Sequence, residues 1–454
     1  MADGLEQALD KMRADGAHEV AIANFRHYYE RLAQGETGTI AEDEIEPAGD
    51  LPSADALPEP GEEGREALDR AVVIRLNGGL GTSMGMTGPK ALLEVKDGLT
   101  FLDVIARQVL HMRQRYGIRL PLELMDSFRT RDESLKALES YPELQVGEPL
   151  DFLQGRVPKI LADSLEPASW PDDPELEWAP PGHGELYTAL VTSGTLEQLI
   201  EHGYEYAFVS NSDNLGAVLE PRILAWFARE QLPFAMEVLR RSPSDRKGGH
   251  IARRKGGGLV LRESAQVREG DEDAFQDITR HRFFNSNNLW LNLKTLARVL
   301  EEREGVLGLP MIVNRKTVDP SDSSSPAVYQ LETAMGAAID VFEGAAAIEV
   351  GRARFAPVKT TNDLLVVRSD AYELTDEAEM RLVRDEPPLV DLDPQHYKLI
   401  RHFDMHFPSG PPSLKECERL TVKGDVVFGA NVVVRGSVSI EGDQRIDDGA
   451  LLEG

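Results

Sequence analysis

A glycine-rich segment with one lysine is the first feature of the sequence that could do chemistry. Residues 76–90 read LNGGLGTSMGMTGPK and follow the apolar run AVVIR. Two explanations are open: a tight turn between a strand and a helix, or a loop that wraps a phosphorylated nucleotide so closely that a Cβ would collide with it. The spacing is not that of a P-loop, because Gly88-Pro89 precedes Lys90 and an alanine follows it. It also lacks the G-x-G-x-x-G of dinucleotide-binding loops, so the glycines alone do not identify the nucleotide.

Three further segments carry polar residues that could form a site. The segment SNSDN, residues 210–214, places Asp213 among amides and hydroxyls, a composition that by itself favours an Asx-rich turn. In PVKTTNDLL, Lys359 stands where an apolar run ends, as many exposed lysines do. The segment PGHGELY sets His183 between two glycines, where a lone histidine is usually structural or on the surface.

The elements that must position these residues alternate between short apolar runs and helical segments, which predicts an α/β fold with a mainly parallel sheet. The glycine-rich loop, SNSDN and VKTTND all follow apolar runs. Because ligands bind at the carboxyl ends of strands in such sheets, we expect these three segments to serve one site.

Three domains are predicted along the chain. Residues 1–70 combine helical spacing up to about residue 34 with an acidic, proline-rich linker, and residues 71–388 contain the motifs above. Residues 389–454 form a separate C-terminal domain. In this tail, apolar residues recur every six positions, as in a hexapeptide-type parallel β-helix, which we favour over an ordinary antiparallel sheet. They are Val422, Phe428, Val434, Ile440, Ile446 and Leu452.

Composition restricts the partners. The 454 residues carry a formal net charge of -29, which argues against nucleic acid as a partner, since that binding depends on clustered Lys and Arg. An anionic substrate must therefore be held by a few local cations. The single cysteine, Cys417, excludes a disulfide within the chain. We find neither an apolar leader segment nor an apolar run long enough to span a bilayer, and we expect a cytoplasmic protein without membrane contact.

The motifs taken together resemble those of the UDP-glucose pyrophosphorylases, the UTP:glucose-1-phosphate uridylyltransferases. LNGGLGTSMG with GPK, FLQ, PGHGELY, SNSDNLGA, NSNNLWLNL and FAPVKTTNDLL occur in the family's order over most of the chain. The sister group that handles N-acetylglucosamine 1-phosphate has a loop closer to G-G-x-G-T-R, whereas Thr82-Ser83-Met84 stands here. Two mild departures are Ala91, where the family often has serine, and the acidic linker.

The resemblance implies a Rossmann-like nucleotidyltransferase core, a C-terminal left-handed parallel β-helix and a role for each matched residue. Lys90, Asp213 and Lys359 would be catalytic, with Asp213 also the Mg²⁺ ligand. The UTP-binding residues would be Leu76, Asn77, Gly78, Gly79, Lys90, Gln154, Gly182, Gly184 and Lys359. The sugar phosphate would contact His183, Asn211, Ser212 and Asn287. Gln154 would read uracil, since a carboxamide offers one donor and one acceptor.

The implied reaction is reversible uridylyl transfer from UTP to glucose 1-phosphate, which gives UDP-glucose and pyrophosphate. Two alternatives stay open: a broad-specificity UDP-sugar pyrophosphorylase, and a nucleotide-sugar-binding regulator that has lost turnover. The retention of Lys90, Asp213 and Lys359 together argues against the regulator. Relatives assemble through the C-terminal end, so we expect any homo-oligomer to form there.

Overall fold

A computed structural model of the chain describes residues 2–454. The chain forms two compact units, each assembled from several stretches of sequence. The first unit contains the chain up to Ile74 together with Phe152–Val209 and Glu220–Val350. The second contains Arg75–Asp151, Ser210–Leu219 and Gly351–Gly454. No helix within residues 2–454 is both long and apolar enough to cross a membrane.

Helices form at most of the amphipathic segments. In chain order they are α1 Ala2–Ala14, α2 Glu19–Ala33, α3 Glu62–Asp69, α4 Phe101–Tyr116, α5 Arg131–Leu138, α6 Leu186–Thr192, α7 Thr195–Glu201, α8 Pro221–Arg229, α9 Glu272–Gln276, α10 Leu293–Glu302, α11 Thr361–Arg368, α12 Pro394–Tyr397 and α13 Ile400–His406.

Strands occupy the apolar runs. In chain order they are β1 Ile45–Pro47, β2 Ala71–Asn77, β3 Glu94–Lys96, β4 Leu99–Thr100, β5 Leu122–Asp126, β6 Asp151–Leu153, β7 Val157–Pro158, β8 Ile160–Leu161, β9 Trp178–Ala179, β10 Tyr206–Asn211, β11 Phe234–Arg240, β12 His250–Arg254, β13 Leu259–Arg262, β14 Phe283–Asn292, β15 Met311–Thr317, β16 Ala327–Thr333, β17 Ala346–Glu349, β18 Tyr372–Leu374, β19 Met380–Leu382, β20 Leu389–Leu392, β21 Ser413–Lys423, β22 Val426–Phe428, β23 Val433–Glu441, β24 Gln444–Ile446 and β25 Leu451–Glu453.

The first unit is built on a mixed sheet. Its strands follow the order β1-β12-β14-β10-β2, and β11 pairs with β14 on one side and β17 on the other. The β11–β17 pair is parallel, whereas β14 runs antiparallel to both β10 and β11. The helices α1 and α2 account for the helical spacing seen in the sequence, and they bury residues such as Leu9, Phe25 and Tyr29 against Ile160 and Met311.

The pairing of β2 with β10 sets the edge at which the glycine-rich loop begins. Tyr206 donates its N–H to the carbonyl of Arg70, and six residues further along both strands Ser212 donates to Leu76, so the two strands run parallel. In the second unit, β5 is the neighbour of the last residues of β2. The predicted α/β class is confirmed: β2 and β10 pair in parallel where the glycine-rich loop leaves the sheet, and β14 adds antiparallel pairing that a mainly parallel sheet did not lead us to expect.

From Arg419 onward, the C-terminal tail coils with a repeat of 18 residues. Val426 pairs with Gln444 and Val433 with Leu451, so parallel partners lie 18 residues apart, which is three six-residue repeats. Of the six predicted inward positions, Val422, Phe428, Val434, Ile440 and Ile446 are buried. The tail is therefore built from parallel strands rather than an antiparallel sheet. Cys417 is buried in β21, and its burial raises the pKa of the thiol to about 11.

Candidate active site

The glycine-rich loop is closed at its base and open on one face. Lys90 donates its N–H to the carbonyl of Gly79 at 3.0 Å, which joins the two ends of the loop. Gly81 and Gly85 have φ values of 57° and 74°, which explains glycine at both positions. A Cβ on Gly79 would meet no atom of the described chain within 4 Å. Protein packing therefore does not demand that glycine, and the space beside it is free for a ligand.

The side chain of Asn77 is engaged below the loop. Its Nδ2 donates to Oδ1 of Asp126 at 2.7 Å and to Oγ of Ser134 at 2.8 Å. Burial is the largest influence on Asp126 and raises the pKa of its carboxyl to about 6, although the hydrogen bonds from Asn77 and Thr130 act in the opposite direction. Because its side chain is committed in this way, Asn77 offers a ligand its backbone, as the resemblance implies.

Lys90 and Asp213 form the central contact of the second unit. The Nζ of Lys90 lies 2.5 Å from Oδ2 of Asp213, and the side chains are 15% and 21% exposed. An ammonium and a carboxylate this close are attracted more strongly when water is partly excluded. The sequence-predicted lysine and aspartate, which are far apart in the chain, are thus brought together at a surface that solutes can reach.

Asp213 is also connected to the segment that carries Lys359. Its carbonyl accepts the N–H of Val358 at 3.1 Å, and the preceding Pro357 is bridged to Asn214. Asn214 fixes the same segment through its side chain, since its Oδ1 accepts the N–H of Ala356 at 2.8 Å. Lys359 itself is exposed, and its backbone N–H donates to Asp363 at 2.9 Å within the cap of α11. These contacts place the backbone of the segment that carries Lys359 next to Asp213, and the role of its ammonium stays a prediction.

A buried arginine braces the strand ends from below. The guanidinium of Arg75 donates to Oγ of Ser210 and to the carbonyl of Ala217, at either end of the segment that contains Asn211, Ser212 and Asp213. Burial lowers the pKa of Arg75 to about 9. Sequence reasoning assigned no role to Arg75. Its contacts hold the 210–217 segment against β2, because a buried guanidinium requires several fixed acceptors.

In the first unit, Gly182 and Gly184 lie against Thr333 of β16. Gly182 has a φ of 80°, and a Cβ there would lie 2.5 Å from the carbonyl oxygen of Thr333. A Cβ on Gly184 would lie 2.2 Å from Oγ1 of the same threonine. The two glycines are therefore required by the approach of β16. The approach of uracil to these glycines, which the resemblance implies, stays a prediction.

His183 is held in a defined tautomer. Its Nδ1 accepts the backbone N–H of Met335 at 3.0 Å, so in the neutral ring the proton is on Nε2. The ring is only partly buried. An Nε2–H group is a donor suited to a phosphate oxygen or a sugar hydroxyl. The contact of His183 with the sugar phosphate, which the resemblance implies, stays a prediction.

Gln154 follows β6, next to a buried carboxyl group. The N–H of Gly155 donates to Glu185, and a Cβ on Gly155 would lie 2.8 Å from Oε1 of that glutamate. Burial raises the pKa of Glu185 to about 8. Glu185 belongs to the quoted segment PGHGELY but received no role from the sequence. It positions the backbone that carries Gln154.

Asn287 occupies an irregularity in β14. The register between β11 and β14 shifts here, and Asn287 has a φ of 59°, a left-handed conformation that asparagine tolerates better than most residues. Its Oδ1 accepts from Asn285 Nδ2 at 2.7 Å, and its N–H donates to Asn285 Oδ1 at 2.8 Å. The bulge leaves Asn287 partly exposed between buried neighbours.

Comparison with known proteins places these features in a family. The family model described as UTP--glucose-1-phosphate uridylyltransferase matches residues 22–435. The chain belongs to this family. A UTP--glucose-1-phosphate uridylyltransferase from Hordeum vulgare is 39% identical over 99% of this chain and 95% of its own length. The corresponding protein of Encephalitozoon cuniculi is 36% identical, with 99% of this chain and 90% of the relative covered.

A solved structure extends the comparison to the fold. A variant of the UDP-glucose pyrophosphorylase from Leishmania major, in complex with UDP-glucose, is 47% identical to this chain. It superimposes with a TM-score of 0.94 over 100% of this chain and 98% of the solved chain. The predicted membership of the uridylyltransferase family is therefore confirmed.

The predicted site residues of this family member are distributed over the two units. The second unit contains Leu76, Asn77, Gly78, Gly79, Lys90, Asn211, Ser212, Asp213 and Lys359. The first contains Gln154, Gly182, His183, Gly184 and Asn287. Within the second unit, Lys90 contacts Asp213, and Ser212 is hydrogen-bonded to Leu76. Sequence reasoning missed Glu185, Arg75 and Thr333, because the residues that they contact are distant from them in the chain.

Proposed function

We propose that this chain catalyses the reversible reaction of UTP with glucose 1-phosphate to give UDP-glucose and pyrophosphate. A phosphate oxygen of glucose 1-phosphate attacks the α-phosphorus of UTP in line. The new P–O bond forms as the bond between the α-phosphorus and the bridging oxygen to the β-phosphate breaks, and pyrophosphate leaves with that electron pair. The nucleophile is already an anion, so no general base is required. The observation that carries this proposal is the Lys90–Asp213 contact of 2.5 Å in a member of this family.

The cationic side chains of the second unit answer the main obstacle, which is the repulsion between two anions. Lys90 is a compact charge suited to a triphosphate, and its partner Asp213 restricts where the ammonium points. Lys359 is exposed at the segment fixed by Asn214, and we assign it to the phosphorus under attack. Catalysis then consists of positioning and charge neutralisation.

We assign Mg²⁺ to Asp213. The donor chemistry fits, because Mg²⁺ takes oxygen ligands and commonly combines one carboxylate with substrate phosphates. Lys90 contacts Oδ2 of Asp213, and the carboxylate remains partly exposed. When bound, the ion would neutralise phosphate charge. Lys90 would hold the carboxylate in position. Because Lys90 and the metal ion would share this carboxylate, metal binding and nucleotide binding would be coupled.

Recognition of the base and sugar is assigned to the remaining polar residues of the matched motifs. Gln154 reads uracil from a backbone that Glu185 supports. His183 offers its Nε2–H to the sugar phosphate, because Nδ1 already accepts from Met335. Asn211, Ser212 and Asn287 provide the remaining polar contacts to glucose 1-phosphate; they stand at the end of β10, just beyond it and on the bulge of β14, respectively.

The finer architectural predictions are part of the same proposal. We propose that the C-terminal coil is a left-handed β-helix, which the 18-residue register and the six-residue apolar repeat support. Domain boundaries near residues 70 and 388, a cytoplasmic location and assembly through the C-terminal end also remain proposals.

The experiment is a pyrophosphate-release assay with a matrix of substrates. Four nucleotides, UTP, CTP, ATP and GTP, are each tested with glucose, galactose and glucuronate 1-phosphates. We expect strong preference for UTP, because a mismatched base leaves buried polar groups unsatisfied at about 1–3 kcal/mol each. Comparable rates with ATP or GTP contradict the assignment of Gln154. Comparable rates with the three sugars instead favour the broad-specificity alternative, and binding of UDP-glucose without turnover favours the regulator.

A further inference from the structure

Two histidines and an aspartate converge at the point where the helical segment 394–406 meets the first coil of the tail. His396 lies in α12, His406 ends α13, and Asp425 immediately precedes β22. One potential ligand atom from each residue lies within 4.8 Å of the other two. His406 is buried, His396 is partly buried and Asp425 is exposed. None of the three belongs to the motifs assigned to uridylyl transfer.

The hydrogen bonding of His406 leaves a lone pair directed at a second acceptor. Nδ1 lies 2.6 Å from the carbonyl oxygen of His402, and a carbonyl only accepts, so Nδ1 carries the proton. In the neutral ring, Nε2 is then an acceptor, and it lies 2.9 Å from Oδ1 of Asp425. Two acceptors repel each other at this distance, and a cation bound between Nε2 and Oδ1 removes that repulsion. A ring N–H donated to a backbone carbonyl is also the usual arrangement of a metal-binding histidine.

The position of His396 distinguishes a bound metal ion from a proton shared between His406 and Asp425. A proton between Nε2 and Oδ1 would satisfy His406 and Asp425 and would give His396 no reason to converge on them. Two imidazoles and one carboxylate are a donor set that Zn²⁺ accepts, with water in the fourth position. The exposure of Asp425, whose side chain is 52% exposed, leaves a route for the ion and room for that water.

The ligands are positioned before any ion binds. Asp393 accepts the N–H of Gln395 with Oδ1 and the N–H of Gly424 with Oδ2, both at 3.0 Å, so it joins the start of α12 to the turn before Asp425. The N–H of Asp425 donates to Oδ1 of Asp443 at 2.9 Å, which anchors that turn to the next coil. Asp393 and Asp443 also add negative charge around the three ligands, which favours a cation.

Aromatic side chains cover the inner side of the cluster formed by the two histidines and the aspartate. The ring of Tyr397 lies 4.5 Å from that of His406, and its hydroxyl donates to the carbonyl of Val426 at 2.5 Å. Phe407 stacks on Phe428 with ring centroids 5.0 Å apart. The apolar backing lowers the freedom of the His406 ring and directs its Nε2 toward the surface.

We propose that His396, His406 and Asp425 bind one Zn²⁺ ion, or a divalent transition metal of similar preference, and that this ion fastens α12 and α13 to the first coil of the tail. The site is distinct from the Mg²⁺ site assigned to Asp213, because its ligands include imidazole nitrogens.

The test is Zn²⁺ titration of the chelator-treated full-length protein by calorimetry, without nucleotide, together with Co²⁺ absorption spectroscopy. The variants are His396→Ala and Asp425→Asn, whose side chains are the more exposed of the three. His202→Ala, at an exposed histidine of the first unit, is the matched control. We expect one Zn²⁺ per chain in the unmodified protein and in the control, and an affinity at least tenfold lower in both variants.

Two further measurements decide between a bound metal ion and an ordinary ion pair of His406 with Asp425. Zn²⁺ should raise the melting temperature of the unmodified protein and of His202→Ala, but not that of His396→Ala. The Co²⁺ form should show visible bands of a four- or five-coordinate site that the variants lose. Equal Zn²⁺ affinity in all four proteins, or no saturable binding in the unmodified protein, overturns the proposal. Should His396→Ala fail to fold, the exposed Asp425→Asn variant gives the same decision.

Discussion

The burial of the Glu185 carboxyl predicts a pH dependence of stability whose size follows from the structure. Its pKa is raised from 4.5 to about 8 by burial, so the folded protein keeps this proton at pH 7 while the unfolded chain loses it. Between pH 4.5 and 8 the unfolded chain binds fewer protons at this position, and stability therefore falls as pH rises. At pH 7 the cost is roughly 3 kcal/mol, since one pKa unit corresponds to about 1.4 kcal/mol.

Glu185→Gln removes this cost while keeping a side-chain oxygen that accepts the N–H of Gly155. We expect the variant to unfold at a temperature about 3 °C above that of the unmodified protein at pH 7, because the unfolding entropy of a 454-residue chain is large, and the two proteins to converge below about pH 4.5. The assay is differential scanning calorimetry at pH 4.5, 6, 7 and 8, with both proteins at the same salt concentration.

The control is Glu197→Gln, which makes the same chemical change at an exposed glutamate of α7. It should alter stability by less than about 0.5 kcal/mol at every pH. The reasoning is refuted if the difference between Glu185→Gln and the unmodified protein does not grow from pH 4.5 to pH 8. A loss of uridylyl transfer in Glu185→Gln, with the fold intact, would additionally show that the variant displaces the Gln154 backbone.

Three other predictions concern catalysis, the metal and the tail. Lys359→Ala should lower kcat roughly 10²-fold with little change in KM for glucose 1-phosphate, because its charge meets the transition state, whereas exposed Lys415→Ala should leave both constants unchanged; equal kcat would remove Lys359 from the site. Asp213→Asn should shift the Mg²⁺ concentration for half-maximal rate upward and be partly rescued by Mn²⁺, and superimposable rate curves would mean that the metal binds elsewhere. Val434→Asp should lower the melting temperature of the tail, because it buries a charge where the side chain has no exposed surface. The exposed control Ser439→Asp should leave the melting temperature unchanged. Equal melting curves for the two variants would contradict the inward orientation of Val434.

Sequence reasoning predicted the α/β class and the inward positions of the tail, because both follow from patterns within short stretches of the chain. The tail illustrates this, because an interval of six residues fixes which side chains face inward once strands stack every 18 residues. The left-handed sense that we propose for that coil is not encoded in the interval itself and rests on the resemblance alone. The roles assigned to the glycine-rich loop and the Asp213 segment stay predictions.

The supporting residues could not be read from the sequence because their partners are distant in the chain. Gly182 and Gly184 were read as positions that approach a base, whereas the structure shows that Thr333 already requires both to be glycine. Arg75 was one residue of an apolar run, yet it braces Ser210 and Ala217. Such contacts arise from the packing of separate strands, and no spacing in the sequence marks them.

The measurement that tests the central claim most directly is ³¹P NMR of the purified protein with UTP, glucose 1-phosphate and Mg²⁺. The proposal predicts that UDP-glucose and pyrophosphate appear together in equal amounts as UTP and glucose 1-phosphate disappear, and that adding pyrophosphate to UDP-glucose reverses the reaction. Lys90→Ala should slow both directions alike, because the same charges stabilise one transition state. Release of phosphate from UTP without formation of UDP-glucose would contradict the account. Spectra that stay unchanged while UTP saturates the enzyme would contradict it as well.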